Sequence, residues 1–404
     1  MRFVQVKCRL EKHGSGQSGK LLLADARGDF SRFAGQAQCV YLDPPFMTGE
    51  DFCCRMRVGE EGWKNGKPVL SVPAYSDRYA GKGEYLAMLR AALENAKLLL
   101  NDTGSLFLHL DSRMSAYARI LCDEIMGENN FVNEIIWAYQ SGGRSMKRFS
   151  RKHDVILFYR KTRFQYFDIT KVPLPRSENR SNHMRRRVDA EGRVYRTIQS
   201  GGKTYTYYDD DPVYPGDVWS DVSHLQQKDP QRTGYDTQKP QALLNRIILS
   251  STRPGDLVAD LFGGSGTTAV AAAQAGRRFL HSDSGPVSLT IARKRLLGTE
   301  MEVDLPENGQ GAQVEAEVYP GIAFRDVRLV SYAPPSGPVT GLDAVDQWSA
   351  GFIEDGVFLP QVHAARRKQT PALPDYLQLP RLRGVPAILI MDIYGHCTVW
   401  RMEE

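Results

Sequence analysis

Four consecutive residues near the start of the chain, Asp43-Pro44-Pro45-Phe46, carry groups that suit the exocyclic amine of a nucleobase. The Asp43 carboxylate and the Pro44 carbonyl can each accept one amine N–H, while the Phe46 ring can stack on the base. Two such acceptors would draw the amine nitrogen towards a tetrahedral shape whose lone pair can attack an electrophilic methyl group. Taken alone, the same four residues are also typical of an ordinary turn that ends a strand.

A glycine-rich segment, residues 260–268 (DLFGGSGTT), is a second candidate site. Glycines at the end of a strand allow a tight turn and let the backbone approach a ligand closely. Asp283 ends the next predicted strand about 20 residues further on, the usual distance for an acid that binds ribose hydroxyls. The spacing differs from the G-x-G-x-x-G of dinucleotide sites, and the segment lacks the lysine of a phosphate-binding loop. Because the segment offers no group that would bind a diphosphate, it favours a nucleoside such as S-adenosylmethionine.

The predicted elements place both segments where strands end. Short apolar runs indicate strands at 39–42, 105–111, 134–139, 154–160, 256–262 and 278–283. Helical periodicity indicates helices at 84–100, 115–127 and 240–251, and an alanine-rich helix follows the glycine-rich segment. Strands that alternate with helices predict an α/β fold with a doubly wound, mostly parallel sheet. Pro- and Gly-rich pieces separate further strands after residue 298, which predicts a small β-rich C-terminal unit.

The composition excludes several classes of protein. The 404 residues are 42% hydrophobic and 25% charged, which is typical of a globular chain of two or three domains. No apolar run approaches the ~18 residues of a spanning helix, and the N-terminus does not resemble a secretory signal, so we expect a cytoplasmic protein without a membrane segment. Six cysteines without C-x-x-C spacing and eight scattered histidines predict neither a disulfide scaffold nor a metal site.

The formal net charge of +5 is the sum of segments that differ strongly. Residues 141–208 hold 17 Lys and Arg against 5 Asp and Glu, together with ten aromatic residues. Residues 298–404 hold 8 basic against 15 acidic residues, and the rest of the chain is neutral. Basic side chains neutralise phosphates and aromatic rings can stack on bases, so residues 141–208 suit nucleic acid. Charge alone fits a solvated basic loop equally well.

Several motifs in a fixed order are more specific than any one of them. They are DPPF (43–46), VNEIIWAYQSGG (132–143), HDVILFYRK (153–161), TQKP (237–240) and DLFGGSGTT (260–268). Over about residues 20–297 the chain therefore resembles the β-class amino DNA methyltransferases, which act on N6 of adenine or N4 of cytosine; type III modification methyltransferases share this motif style. The resemblance implies a catalytic part (1–161), a target-recognition insert (162–236), a cofactor-binding part (237–297) and a C-terminal unit of unassigned role (298–404).

The resemblance also implies a role for each matching residue. Asp43, Pro44, Pro45 and Phe46 would hold and stack a target base that has left the duplex. S-adenosylmethionine would be bound by Asp260, Phe262, Gly264, Gly266, Thr267 and Asp283, with Thr237 and Lys239 near its methionine carboxylate. Double-stranded DNA would be contacted by Arg144, Lys147, Arg148, Arg185, Arg186 and Arg187. Two residues depart from the family pattern, since Phe46 replaces the commoner tyrosine and His281 stands where glycine is usual.

These inferences predict a site-specific DNA methyltransferase that flips adenine out of the duplex and methylates its N6 amine. Adenine is favoured because the cytosine-N4 members more often carry serine at the place of Asp43. The alternatives are N4-cytosine methylation, methylation of RNA or of a protein amide, and a DNA-binding module with an inactive cofactor site. The resemblance allows a homodimer, a separate restriction subunit and association with the nucleoid. His109, at another predicted strand end, is predicted to be structural.

Overall fold

The computed structural model describes residues 7–10 (backbone only), 19–139, 145–174, 186–306, 308–380 and 384–402. Within these ranges the chain forms one extended sheet, helices on both of its faces and three smaller sheets. The strands in chain order are β1 (Lys7–Leu10), β2 (Gly19–Leu23), β3 (Ala37–Leu42), β4 (Asp51–Arg57), β5 (Val69–Ser76), β6 (Leu100–Leu110), β7 (Phe131–Ala138), β8 (His153–Arg160), β9 (Arg186–Val188), β10 (Val194–Ser200), β11 (Lys203–Tyr208), β12 (Val218–Trp219), β13 (Leu257–Asp260), β14 (Arg278–Asp283), β15 (Met301–Val303), β16 (Gln313–Pro320), β17 (Phe324–Ala333), β18 (Val345–Glu354), β19 (Val357–Ala365), β20 (Tyr376–Pro380), β21 (Val385–Asp392) and β22 (Cys397–Arg401).

The helices are short apart from one of 18 residues. In chain order they are α1 (Gly59–Asn65), α2 (Lys82–Leu99), α3 (Ser115–Cys122), α4 (Gln241–Ser251), α5 (Thr267–Gln274) and α6 (Pro286–Arg295). Helix α3 continues into a single π turn at Asp123–Gly127, and short 3-10 turns lie at Ser31–Phe33, Glu128–Asn130, Ile169–Lys171 and Gly341–Ala344. Among the described residues, no helix is both long enough and apolar enough to cross a membrane.

The extended sheet has the order β12-β7-β8-β6-β3-β13-β14-β2-β15-β1-β19-β18-β21-β22. Its centre, from β6 to β15, is parallel. Strand β8 is antiparallel to both of its neighbours, and the strands beyond β15 include further antiparallel pairs. The predicted doubly wound α/β class is confirmed, with a parallel centre and mixed flanks.

The side chains of β3 alternate between the two faces of the sheet, and helices cover both. Cys39 and Tyr41 pack on the face covered by α4 and α5. Val40 and Leu42 pack on the opposite face, which α2 covers. All six residues of β3 are buried, as expected for a central strand with helices on either side.

The carboxyl ends of four neighbouring parallel strands meet at one edge of the sheet, which we call the carboxyl edge. Asp260 of β13 is in register with Tyr41 of β3 and with His281 of β14. Asp283 of β14 is in register with Leu23 of β2. The residues that follow these strands therefore lie side by side where open α/β sheets bind their ligands.

The C-terminal residues continue the extended sheet. Strand β1 joins them to the centre, since it pairs with β15 on one side and with β19 on the other. The buried Arg293 guanidinium of α6 donates to Gln347 Oε1 (2.6 Å) and to Ser349 Oγ (2.9 Å) of β18. The β-rich character predicted for this unit is confirmed. Its strands share the extended sheet with the rest of the chain and make a buried polar contact with α6 of the predicted cofactor-binding part.

The predicted target-recognition insert is largely irregular. Its described residues include a small three-stranded sheet of order β11-β10-β9. They also include β12, which pairs with β7 at one end of the extended sheet. The four-part division of the chain stays a prediction.

Candidate active site

The DPPF turn follows β3 directly and is held in shape by Asp77. The Asp77 carboxylate accepts the backbone N–H groups of Phe46 (3.2 Å), Met47 (2.8 Å) and Thr48 (2.8 Å). The Thr48 hydroxyl donates to it as well, at 2.7 Å. Asp77 is buried directly after β5, so these four donors lock the turn to the β4–β5 hairpin. Asp77 could not be predicted from the sequence, because no spacing pattern connects it to the turn.

Asp43 forms an ion pair with Lys239 through only one of its two oxygens. Lys239 Nζ lies 2.5 Å from Asp43 Oδ2, and the side chains of Lys239 and Asp43 are 13% and 15% exposed. Asp43 Oδ1 is buried and has no hydrogen-bond partner among the described residues. A buried acceptor without a partner is costly, so a ligand that brings a donor to this oxygen would be stabilised.

The resemblance implies that Lys239 lies near the methionine carboxylate of the cofactor. In the structure, the Lys239 ammonium contacts Asp43 and lies 5.2 Å from the centre of the Phe46 ring. Lys239 therefore belongs to the DPPF turn in this structure. A contact between Lys239 and the cofactor stays a prediction.

Phe46 lies over a buried polar chain that starts with His109. The rings of Phe46 and His109 stack with centroids 6.1 Å apart. His109, fully buried on β6, contacts Tyr41 Oη through Nδ1 (2.7 Å) and Asp154 Oδ2 through Nε2 (3.1 Å). Burial alone would raise the pKa of Asp154, but the hydrogen bond and the charge of His109, with other nearby groups, lower it. Both ring nitrogens of His109 are thus used beneath the turn, in keeping with a structural role.

The glycine-rich segment connects β13 to α5 through a turn that favours glycine. Gly264 (φ +50°) and Gly266 (φ +78°) both adopt the left-handed region. The buried Asp260 carboxylate accepts the N–H of Phe262 (3.0 Å) and the hydroxyl of Thr268 (2.6 Å), so it fixes both ends of the turn. Burial raises the pKa of Asp260 to about 7, although these two hydrogen bonds oppose the shift.

Asp283 supports the same turn from the neighbouring strand β14. Its Oδ2 accepts the N–H of Gly264 (2.8 Å), and its Oδ1 accepts the N–H of Gly285 (2.7 Å). Burial raises the pKa of Asp283, and the two backbone hydrogen bonds oppose the shift. Each carboxylate oxygen keeps a further lone pair, so the predicted contact with ribose hydroxyls is chemically open and stays a prediction.

His281, which departs from the family pattern, lies directly beneath the glycine-rich segment. A Cβ added to Gly263 would be 2.1 Å from its Nδ1, so the ring and the loop are in close contact. His281 Nε2 lies 3.2 Å from Ser288 Oγ, which donates to the Gly264 carbonyl at 2.5 Å. Burial lowers the pKa of His281 to about 4. The ring is therefore neutral near pH 7 and supports the loop by packing.

A wall of aromatic rings faces the glycine-rich segment. Phe52 and Tyr75 of the β4–β5 hairpin stack with centroids 5.0 Å apart, and Tyr235 lies 6.4 Å from Tyr75. The Tyr75 hydroxyl donates to Thr237 Oγ1 at 3.3 Å, which places Thr237 against this wall. These rings could not be predicted from the sequence, because aromatic residues in a short hairpin are typical of packing as much as of binding.

One open cavity at the carboxyl edge is lined by the DPPF turn, the glycine-rich segment and the aromatic wall. Its volume of about 380 Å³ is within the range of small-molecule sites. The lining includes every predicted catalytic residue, and every predicted cofactor residue except Gly266. A Cβ at Gly266 would be 2.8 Å from that of Ala292, so this glycine allows α6 to pack against the turn. Asp25, Ala26 and Arg27, which follow β2, also line the cavity. They were missed because a single acid after a short apolar run gives no further signal.

Four of the six predicted DNA-binding residues are among the described residues, and these four lie in two places. Arg144 and Arg185 lie outside the described residues. Lys147 and Arg148 are exposed in the connection between β7 and β8, and Arg186 and Arg187 are exposed on β9. No cluster of three or more His, Cys, Asp or Glu that could hold a metal ion occurs among the residues that the structure describes.

An acidic turn after β11 neutralises part of the basic insert. Arg186 pairs with Asp209 (2.7 Å), and Arg193 pairs with Asp210 (2.7 Å) and Asp211 (3.5 Å). These three acids begin one residue beyond the segment 141–208. The positive charge available to a nucleic acid is therefore smaller than the count within that segment predicts.

The chain belongs to a known protein family. Residues 37–301, about two thirds of the chain, match the N6_N4_Mtase family, described as DNA methylase. The chain therefore belongs to this DNA methylase family, as its ordered motifs indicated. The methyl donor of the family is S-adenosylmethionine.

Individual relatives are distant. Type II methyltransferase M.EcaI of Enterobacter cloacae is 24% identical over 306 residues, which cover 64% of this chain and 64% of that protein. DNA adenine methyltransferase YhdJ of Escherichia coli strain K12 is 24% identical over 285 residues, 70% of this chain and 84% of YhdJ. The solved structure of PvuII DNA methyltransferase (cytosine-N4-specific) has a TM-score of 0.46 at 16% identity and covers 73% of this chain and 90% of its own. The chain thus spans less than two thirds of the length of M.EcaI.

The lining of the cavity fits S-adenosylmethionine in its hydrogen-bonding chemistry. Gly264 lets the loop lie close to the aromatic wall, since a Cβ there would be 3.3 Å from the Tyr235 ring. Asp283, in the same lining, offers lone pairs to hydroxyl groups. Bound in this cavity, the cofactor would share the carboxyl edge with the DPPF turn.

Proposed function

We propose that this protein transfers a methyl group from S-adenosylmethionine to the N6 amine of adenine in double-stranded DNA. The proposal rests on the contacts of the two carboxylate oxygens of Asp43. Its Oδ2 is held by Lys239 at 2.5 Å, and its Oδ1 is buried without a partner among the described residues. An amine N–H brought to Oδ1 would satisfy that acceptor, in a cavity that also contains the glycine-rich segment.

The residues of the chain orient the amine and need not remove a proton beforehand. Asp43 Oδ1 and the Pro44 carbonyl would accept the two N–H groups while Phe46 stacks on the base. The bound cofactor supplies an electrophilic methyl group. Lys239 fixes Asp43 and Asp77 fixes the turn, so the acceptors stand in place before the base arrives, which is how pre-organised polar groups lower a barrier. After transfer, the methylated amine would lose a proton, which Asp43 Oδ1 can accept.

Adenine is proposed over cytosine because Asp43 stands where the cytosine-N4 enzymes more often carry serine. The name of YhdJ, a DNA adenine methyltransferase, agrees with this choice. The name of the PvuII enzyme, which is cytosine-N4-specific, shows that related proteins act on either base. The two-acceptor geometry fits both amines, so N4-cytosine methylation is the alternative.

DNA is proposed as the substrate because the chain belongs to a DNA methylase family and its insert carries exposed arginines. Extrusion of the target base follows from the chemistry, since the amine of a paired base lies inside the duplex. Site-specific action in the cytoplasm, a homodimer and a separate restriction subunit belong to this proposal too.

The proposal is tested by methyl incorporation. The purified chain is incubated with methyl-labelled S-adenosylmethionine and either duplex DNA or RNA of the same sequence. We expect label in the duplex DNA and none in the RNA. Label in RNA or in protein alone would overturn the choice of substrate, and absent cofactor binding by calorimetry would revive the inactive-module alternative.

A further inference from the structure

The connection between β7 and β8 presents two almost fully exposed apolar side chains at the carboxyl edge. Met146 is 98% exposed and Phe149 is 99% exposed. Strand β8 runs antiparallel to β6, and Leu110 at the end of β6 is in register with Val155 near the start of β8. The connection therefore leaves the sheet on the same side as the DPPF turn. We call residues 145–152 the rim loop.

The base of the rim loop is anchored to the floor of the site. The Tyr139 hydroxyl, just after β7, donates to Asp154 Oδ1 at 3.0 Å, and Asp154 Oδ2 contacts His109 at 3.1 Å. His109 in turn stacks on Phe46. The backbone N–H of Tyr139 donates to the carbonyl of Lys152 at 2.9 Å, which closes the loop. The rim loop thus rises from the same hydrogen-bonded chain that supports the predicted base-stacking ring.

The tip of the rim loop combines apolar and basic side chains. Lys147, Arg148 and Arg151 are exposed beside Met146 and Phe149. Single exposed apolar residues are ordinary on protein surfaces, whereas Met146 and Phe149 are both almost fully exposed within four positions and lie beside basic groups. Basic groups bind phosphates, and phenylalanine and methionine are side chains that proteins insert between base steps. This chemistry fits a nucleic acid duplex held at the mouth of the cavity.

We propose that Phe149, flanked by Met146, enters the DNA duplex where the target base leaves it and fills the gap in the base stack. The inference rests on the proposed function. Extruding a base sacrifices its stacking and its pairing, and an aromatic ring against the neighbouring bases restores part of the stacking. Lys147 and Arg148 would bind the adjacent phosphates and so keep the ring beside the duplex.

The test uses two duplexes that contain the site identified by sequencing modified bases. One duplex is fully paired, and the other carries a pyrene nucleotide opposite the target base, whose large flat ring system fills the stack when the target base leaves. We expect Phe149→Ala to lower kcat/KM at least tenfold on the paired duplex and to recover most of that loss on the pyrene duplex. Phe149→Trp should keep the wild-type rate on both. Phe164→Ala is the matched control, because Phe164 is 64% exposed and follows β8 at the opposite edge of the sheet.

Each contrary outcome has a separate meaning. Phe149→Ala with wild-type activity on the paired duplex would overturn the inference and leave the proposed function intact. An equal loss on both duplexes would also overturn it, since Phe149 would then contact DNA without replacing the base. A change in oligomeric state on gel filtration would assign the exposed ring to a contact between copies of the chain. Wild-type protein that methylates neither duplex would overturn the proposed function and this inference together.

Discussion

Lys239 and Asp43 lie 196 positions apart in the chain, yet the ammonium of Lys239 is 2.5 Å from the carboxylate of Asp43. The contact joins the residues before α4 to the turn after β3, across the carboxyl edge. It occupies one oxygen of Asp43 and leaves the other, buried oxygen open within the described structure. The TQKP motif therefore contacts the DPPF turn through Lys239 and the aromatic wall through Thr237.

Replacement of Lys239 by methionine should damage both stability and catalysis. The substitution keeps much of the side-chain volume but leaves the Asp43 carboxylate without its partner, and breaking a buried ion pair in this way costs about 3 kcal/mol. We expect a lower free energy of unfolding in urea and a slower single-turnover methyl transfer. Lys228→Met, at an exposed position, is the control and should leave both unchanged. A Lys239→Met protein with the wild-type transfer rate would contradict the role of the pair.

Substitution of Gly263 by alanine should disturb the glycine-rich segment through a clash with His281. The added Cβ would be 2.1 Å from the His281 ring, and overpacking of this kind costs about 1–3 kcal/mol. Gly263→Ala should therefore lower the melting temperature and weaken cofactor binding in calorimetry. In the His281→Gly background the clash is absent, so adding Gly263→Ala there should cost much less stability and cofactor affinity than it does in the wild type. If Gly263→Ala is equally damaging in both backgrounds, His281 is not the obstacle.

The fold and the position of the site could be predicted from the sequence because both depend on local patterns. Apolar runs such as that of β3 end directly at Asp43, and parallel strands bring their carboxyl ends together whatever their order in the chain. The Lys239–Asp43 pair could not be predicted, since it depends on how two distant turns pack. The same holds for Asp77, whose four hydrogen bonds need the exact placing of the β4–β5 hairpin.

Asp260 should make the stability of the protein depend on pH. Its pKa is raised from 3.8 to about 7 by burial. Below pH 3.8 the group is protonated in both the folded and the unfolded chain. Between pH 3.8 and about 7 the unfolded chain loses the proton while the folded chain keeps it, so the contribution of Asp260 to stability falls as pH rises, by at most about 1.4 kcal/mol per pH unit.

Asp260→Asn removes this titration and is the variant to compare. The amide can still accept from Phe262 N–H and contact Thr268. In urea unfolding at pH 5, 6, 7 and 8, the stability of Asp260→Asn relative to the wild type should rise up to about pH 7 and then level off. A difference that does not vary with pH would show that Asp260 titrates at its ordinary value.

The salt dependence of DNA binding should distinguish the two neighbouring arginines of β9. Arg186 is paired with Asp209, whereas Arg187 lies on the other face of the strand. If Arg187 contacts a phosphate, Arg187→Ala should reduce the slope of log Kd against log salt by about one, and Arg186→Ala should change it less. The affinity for S-adenosylmethionine should depend little on salt in either variant. Wild-type slopes for Arg187→Ala would show that this arginine faces water.

The central claim, that Asp43 holds the N6 amine of adenine for methylation, is tested most directly by analysis of the nucleosides in treated DNA. Duplex DNA is incubated with S-adenosylmethionine and either the wild type or Asp43→Ala, then digested and analysed by mass spectrometry. We predict N6-methyladenine from the wild type and at least a 10²-fold lower yield from Asp43→Ala, on the order of the loss when one oriented hydrogen-bonding group is removed, with cofactor binding preserved. N4-methylcytosine as the sole product, or a fully active Asp43→Ala protein, would contradict the claim.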